Sequence, residues 1–426
     1  MPISLKRIEK GIFYVFLLLQ LICFSNLYAN EPNLSLEKAE EIAVKNAPEI
    51  QRLYAQAQSL AEKSVAEGQL PDPKLVTGLV NVPTNTFSFT QDDMTMISFG
   101  LQQAFPPGKS LAFKSQQTKA LSDAQLRKIE EQKINLLRSV RQAWLELYYW
   151  VHAIQVMKGN EKLYKELLQA TEIQYSANKG TQSDVLQVQL ELSRLQDQIV
   201  QATQQEKIAR AQLKRWVGDR AECNIASSLP HWPAPLSLEI LQKILEKHPV
   251  LKADAASIDA ARLDVAWARE QCKPGWMLDV SYGIRQGHMT DGAERSDMVT
   301  ANATIDLPLF TKNRQNRQVK SSAYQLEATQ YDRHVHYKDL LEDLNVRYAT
   351  WESLSQREVL YEGQLTVQAK QNAKAALLSY QSASADLTTV LRAYSNELTI
   401  YLEELQIKME RAKARAALLY YAGVSE

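Results

Sequence analysis

The chain has 426 residues, 45% of them hydrophobic and 23% charged, with a formal net charge of zero. That length allows a large core or several domains, and the neutral balance gives a nucleic-acid partner no electrostatic support. Fourteen Gly and fourteen Pro are few for this length and favour long uninterrupted helices.

The chain opens with a processing signal over residues 1–29. Lys6, Arg7 and Lys10 form a basic stretch, and Ile12 to Phe24 an apolar one. Its thirteen residues are short for a membrane-spanning helix, which needs about 20. Cleavage is expected after Ala29 and leaves a net charge of −2. Ile22 precedes Cys23 where a lipid-anchor signal calls for a small residue. Cys223 and Cys272 remain in the exported chain, where a disulfide is chemically possible.

Two repeats follow, 30–229 and 230–426. LSLE occurs at Leu34–Glu37 and again at Leu236–Glu239, and a helical stretch carrying Pro48 or Pro249 follows each. YSANKGTQSDVL at Tyr175 is echoed by YQSASADLTTVL at Tyr380, 205 residues later. The closing motifs LKRWVG and LLYYAG differ by the same 205 residues. Each repeat predicts a helix, two strands, a very long helix, a loop and a returning helix. In repeat one the strands lie near 75–82 and 95–105, the long helix over 109–176 and the returning helix over 184–216. Repeat two reads as helix 238–272, strands near 277–286 and 298–307, long helix 313–380 and returning helix 387–421. Within the helices Leu137, Val140, Trp144, Leu147 and Val151 step by three and four, as do Leu391, Tyr394, Leu398 and Tyr401. That spacing draws one apolar seam along each helix and permits coiled-coil packing. A long helix of 68 residues spans about 100 Å, so a rod of antiparallel helices is expected.

The strands alternate apolar and polar residues. Leu278, Val280, Tyr282 and Ile284 alternate with Asp279, Ser281, Gly283 and Arg285, and Ile305 and Leu307 flank Asp306. The weakest strand is expected to gather Val76, Val80 and Val82 on one face with Gly78. Export, and strand lengths near those that cross an outer membrane, favour a barrel over a soluble hairpin. Four strands cannot close one, whereas three chains supply twelve. Asp279, Arg285 and Asp306 are the lumen candidates.

The tandem repeat, the strand pairs and the motif YSANKGTQSDVLQVQ resemble the TolC-like outer-membrane efflux family over essentially the whole exported chain. LPDPKL at Leu70–Leu75 and QAFPPGKS at Gln103–Ser110 look like its heavy-metal branch. The resemblance implies a mainly α fold with a small β part: a homotrimeric twelve-stranded β-barrel in outer-membrane lipid, continued by a periplasmic α-barrel. It implies a passive exit duct carrying heavy-metal cations, with a periplasmic membrane-fusion adaptor and an inner-membrane resistance-nodulation-division pump as partners. It places Tyr175, Asn178, Gly180, Tyr380 and Ala383 at the periplasmic tips, against the adaptor. Asp184 and Asp386 become gate-lining acids or helix caps. Ala383 stands where the family often has Gly, so the second tip is expected to turn differently. No phosphate loop, HExxH or Gly-x-Ser-x-Gly occurs, so neither an enzyme nor a cofactor is expected. His334 and His336, two apart on a helix, face different ways, and His288 with Met289 reads as a solvated loop, so no metal site is expected. A soluble periplasmic coiled-coil adaptor or scaffold explains the helices but not the strands.

Overall fold

The computed structural model describes residues 33–423, so the signal over 1–29, with Cys23, lies outside the described residues. Helices α1 (Leu36–Lys45) and α2 (Pro48–Glu67) lead into strands β1 (Lys74–Val80) and β2 (Met96–Phe105). Then come the 67-residue helix α3 (Ser110–Ser176) and the returning helix α4 (Gln182–Val217). The same order recurs as α5 (Leu238–Leu245), α6 (Pro249–Glu270), β3 (Trp276–Arg285), β4 (Met298–Ile305), α7 (Gln315–Leu360), α8 (Thr366–Gln381) and α9 (Leu387–Tyr421).

Helix α3 is the spine. Its sheet-side half packs between α2 and α6, fixed by Ser122 Oγ donating to Ala57 O at 2.7 Å and Gln117 donating to Asp264 at 2.8 Å. Its other half packs between α4 and α9, where Tyr164 meets Tyr394 edge to face. Helix α7 lies beyond α6 and α9. The chain is therefore one layer of helices, with α2 and α4 along one edge and α7 and α8 along the other.

The seams read from the sequence are mostly buried, with Val151, Tyr394 and Tyr401 half-buried. Val140, Trp144 and Leu147 sit in a mid-rod cluster with α1 and Leu213. Trp144 is 1% exposed, and its indole N–H donates to Leu34 O at 3.0 Å. Buried Arg141 pairs with Glu40 of α1 at 2.6 Å, so its charge is not left alone in the core. Toward the tips Ile154, Leu167, Val188 and Leu391 form a second cluster. No disulfide joins Cys223 and Cys272.

Three expectations need correction. The helix expected over 238–272 is two, because Pro249 has no N–H and its ring excludes the carbonyl four residues back. Pro249 instead occupies the first turn of α6, as Pro48 does in α2. The helix expected over 313–380 is not uniform: Tyr361–Leu365 is a π-helical turn around Gly363, inserting an extra residue between α7 and α8. The strand expected over 75–82 stops at Val80, because Asn81 takes φ 55°, which leaves the extended region.

The α5–α6 break depends on His248, which is 1% exposed. Its Nδ1 accepts the Val250 N–H at 3.3 Å, so the proton sits on Nε2, which donates to Tyr420 O at 3.1 Å. Burial lowers its pKa from 6.5 to about 4. The folded state binds this proton less well than the unfolded chain. The contribution is therefore full above pH 6.5 and is lost as the pH falls to about 4. His248→Asn keeps a capping acceptor and does not titrate. The thermal midpoint of the variant should fall less than that of the wild type over this interval; parallel pH curves would exclude the role.

Candidate functional site

The four strands pair antiparallel in the order β1–β2–β3–β4. Register places Leu75, Leu101, Val280 and Ala301 in one row, and Thr77, Phe99, Tyr282 and Val299 in the next row on the same face. This apolar face is open: Leu75 is 70% exposed, Leu101 60% and Val299 71%. Along β3, Trp276, Leu278, Val280, Tyr282 and Ile284 are exposed, while the residues between them are buried or half-buried. Among the described residues no helix packs across the apolar face. A soluble sheet covers its apolar face and wets the polar one, so this arrangement is inside out.

The opposite face carries rows of polar and small residues: Lys74, Gln102, Asp279 and Asn302, then Val76, Gly100, Ser281 and Thr300. Val76 and Val80 thus belong to the polar face, and Leu75 and Leu79 to the apolar one. Val76, Gly78 and Val80 share one face, as expected, and Val82 lies beyond the end of the strand. Asp279 stands mid-row, and Gln102 donates to it at 3.5 Å. Asp306 closes the helical end, its N–H donating to Gly275 O at 2.8 Å. Arg285 is at the far end and is engaged: its side chain donates to Ser296 O at 2.6 Å and Asp93 O at 3.1 Å. Arg295 reinforces this staple between the β1–β2 and β3–β4 loops through Asp93 at 2.6 Å.

The two helical tips superpose in their bonding. In the first, Asn178 N–H donates to Tyr175 O at 3.0 Å and Lys179 N–H to Gln174 O at 2.8 Å. In the second, Ala383 N–H donates to Tyr380 O at 3.0 Å and Ser384 N–H to Ser379 O at 2.9 Å. Asn178 has φ 58° and Ala383 φ 59°. The second tip does not turn differently; Ala accepts the left-handed conformation at a cost of about 1–2 kcal/mol because the same two bonds hold it. Tyr380 Oη donates to Gln174 at 2.8 Å, tying the tips together. Gly180 follows the first turn with φ outside the left-handed region.

Beyond each turn lies a Thr–Asp pair in reversed order. Thr181 caps α4, accepting the Asp184 N–H at 3.2 Å, while the Asp184 carboxylate accepts the Thr181 N–H at 2.9 Å. At the second tip Asp386 caps α9, accepting the Thr389 N–H at 2.9 Å. Thr181 matches Asp386 and Asp184 matches Thr389 in the 205-residue repeat. One carboxylate per tip survives, moved by one helical turn. The Thr389 hydroxyl and backbone hold the Asp386 carboxyl below its usual range. Thr181, Gln174 and Arg295 escaped the sequence reading; Thr-x-x-Asp is a capping-box spacing that marks the first of them.

Among the described residues no group of three His, Cys, Asp or Glu could hold a metal, and no helix is long and apolar enough to cross a membrane. His336 pairs with Asp254 at 2.9 Å, and His334 contacts Gln330 O at 3.0 Å.

A family model described as outer membrane efflux protein matches residues 41–219 and 240–424. The chain belongs to the outer membrane efflux protein family. Its place is the outer membrane, extending into the periplasm. It is 24% identical over 316 residues to the alkaline protease secretion protein AprF of Pseudomonas aeruginosa, covering 71% of this chain and 64% of that relative. In fold it resembles the outer membrane protein VceC of Vibrio cholerae, with TM-score 0.75 and 18% identity over 91% of this chain and 96% of that one. It also resembles CusC, with TM-score 0.77 and 15% identity over 93% and 95% of the two chains.

For this efflux protein the reversed caps make a specific prediction. Asp184→Ala should cost about 1 kcal/mol of stability. The exchange Thr181→Asp with Asp184→Thr recreates the arrangement of the second tip and should restore most of it, read as thermal midpoint. An exchange variant no more stable than Asp184→Ala would contradict this.

Proposed function

We propose that three copies of this chain close into one channel-tunnel, the passive outer-membrane exit duct of a tripartite efflux system. The carrying observation is the inside-out sheet. Its edges β1 and β4 are unpaired within the chain, and hydrocarbon does not tolerate unpaired strand edges. Pairing β4 of one copy with β1 of the next gives twelve strands, with the Asp279 rows lining the lumen.

The helices support the same closure. Tyr324, Tyr331, Val335, Val346 and Val367 lie exposed on α7 and α8. Tyr54, Val65, Leu186, Leu190 and Val200 lie exposed on α2 and α4, at the other edge. Each edge offers the other a seam, a heterologous contact that closes as a ring. A soluble adaptor or scaffold would leave the apolar sheet face in water.

In the closed ring the tips of Tyr175, Asn178, Gly180, Tyr380 and Ala383 form the periplasmic mouth. They meet a membrane-fusion adaptor that joins the duct to an inner-membrane pump. Six carboxylates, Asp184 and Asp386 from each copy, ring that mouth and favour cations. Heavy-metal cations are the cargo class that the LPDPKL and QAFPPGKS joints support. The likeness to AprF favours a second reading, an exit duct for a secreted protein. Loss of metal tolerance on deletion, with secretion intact, supports the first; the converse supports the second.

Assembly is tested by cross-linking. Leu378 and Leu186 each lie about one turn from their tips and sit on opposite edges of the chain. With Cys223 and Cys272 replaced by Ser, Leu378→Cys combined with Leu186→Cys should yield covalent dimers and trimers under oxidation. Monomer only, from protein that conducts in planar bilayers, would contradict this edge pairing.

A further inference from the structure

The helical end of the sheet carries a second feature. Phe105 stacks on Trp276 at 3.9 Å, on the apolar face. The chain leaving β4 continues that face with Ile305 and Leu307, 59% and 67% exposed, then Leu309 and Phe310, 73% and 87% exposed. Among the large hydrophobic side chains of the described residues none is more exposed than Phe310. Immediately after it come Lys312, Arg314, Arg317 and Lys320, all exposed. No acidic residue occurs between Asp306 and Glu327. None of the four cations has a carboxylate partner among the described residues. Of the acids nearby in the fold, Glu270 is taken by Lys273 at 2.7 Å and by the Lys109 N–H at 2.7 Å, and Asp264 by Gln117.

We propose that this aromatic and basic collar binds the anionic headgroups of phospholipids in the leaflet on the helical side of the barrel. Aromatic rings settle at the level of the headgroups, and cations just beyond them attract anionic lipid. The collar continues the face that meets hydrocarbon, so a lipid whose tails lie on Ile305 and Leu307 brings its phosphate to Lys312 and Arg314. The proposal rests on the barrel reading. The competing partner for these cations is Asp72 of the adjacent copy, because closing the barrel brings the start of β1 beside the end of β4. Lys74 accompanies that Asp72, so the pairing leaves the collar's positive excess intact.

The test is native mass spectrometry of the detergent-purified full-length trimer, titrated with phosphatidylglycerol, phosphatidylcholine or free glycerol phosphate. The wild type should prefer phosphatidylglycerol, and glycerol phosphate alone should bind weakly. Neutralising all four cations (Lys312→Gln, Arg314→Gln, Arg317→Gln, Lys320→Gln) should reduce that preference on the order of tenfold or more, at roughly fivefold per cation near the surface. Asp72→Asn should leave it unchanged. An unaltered preference in a trimeric quadruple variant overturns the collar while leaving the barrel standing. So does a trimer that dissociates in Asp72→Asn, since the cations are then spent on the neighbour. A wild type that forms no trimer overturns both readings. If the quadruple variant fails to assemble, the wild-type preference must still fall with rising salt, and a salt-independent preference excludes the proposal.

Discussion

Inside hydrocarbon every backbone N–H and C=O must be satisfied by the protein itself. One chain presents four strands with two unpaired edges and an apolar face turned outward. That sheet has no stable form alone in lipid, and its apolar face has no cover in water. The helical layer follows the same geometry. Helix α2 enters β1 and α7 leaves β4, so the free edges of helices and sheet fall on the same two sides. In the proposed ring one contact, repeated around an axis, satisfies both.

The repeat supplies this geometry economically, but its halves have diverged. Helix α3 runs unbroken for 67 residues, whereas its counterpart is interrupted by the π-helical turn at Tyr361–Leu365. A polar layer faces that turn. Lys408 of α9 bridges Glu362 at 2.7 Å and Glu404 at 2.6 Å, and Tyr361 donates to Glu403 at 3.0 Å. The extra residue re-aims the seam, and ion pairs fill the place where apolar side chains would otherwise meet. At the tips the divergence is smaller: two turns of one shape, each followed by a Thr–Asp cap written in opposite order.

Much of this was legible in the sequence because the contrast between faces is strong. The three–four stepping of Val140, Trp144 and Leu147 corresponds to buried positions, and the alternation along β3 to a real face. β1 was the weakest strand to read because Leu75, Val76, Leu79 and Val80 put apolar residues on both faces, which leaves little period to follow. Alternation alone does not say which face is left bare; the exposed apolar rows of the sheet do. Gly363 was the sole local hint of the π-helical turn. Ala383 was misjudged because a propensity of about 1–2 kcal/mol yields to two backbone hydrogen bonds at a helix end.

In the proposed barrel the apolar face of this sheet meets lipid and its polar face meets water. Nitroxide scanning from Met277 to Ile284 in lipid bilayers measures this directly, through relaxation by oxygen, which partitions into hydrocarbon, and by a water-soluble nickel chelate. A period of two is expected: oxygen dominates at Leu278, Val280, Tyr282 and Ile284, and nickel at Met277, Asp279, Ser281 and Gly283. Equal accessibility along the strand, or the opposite phase, would contradict it.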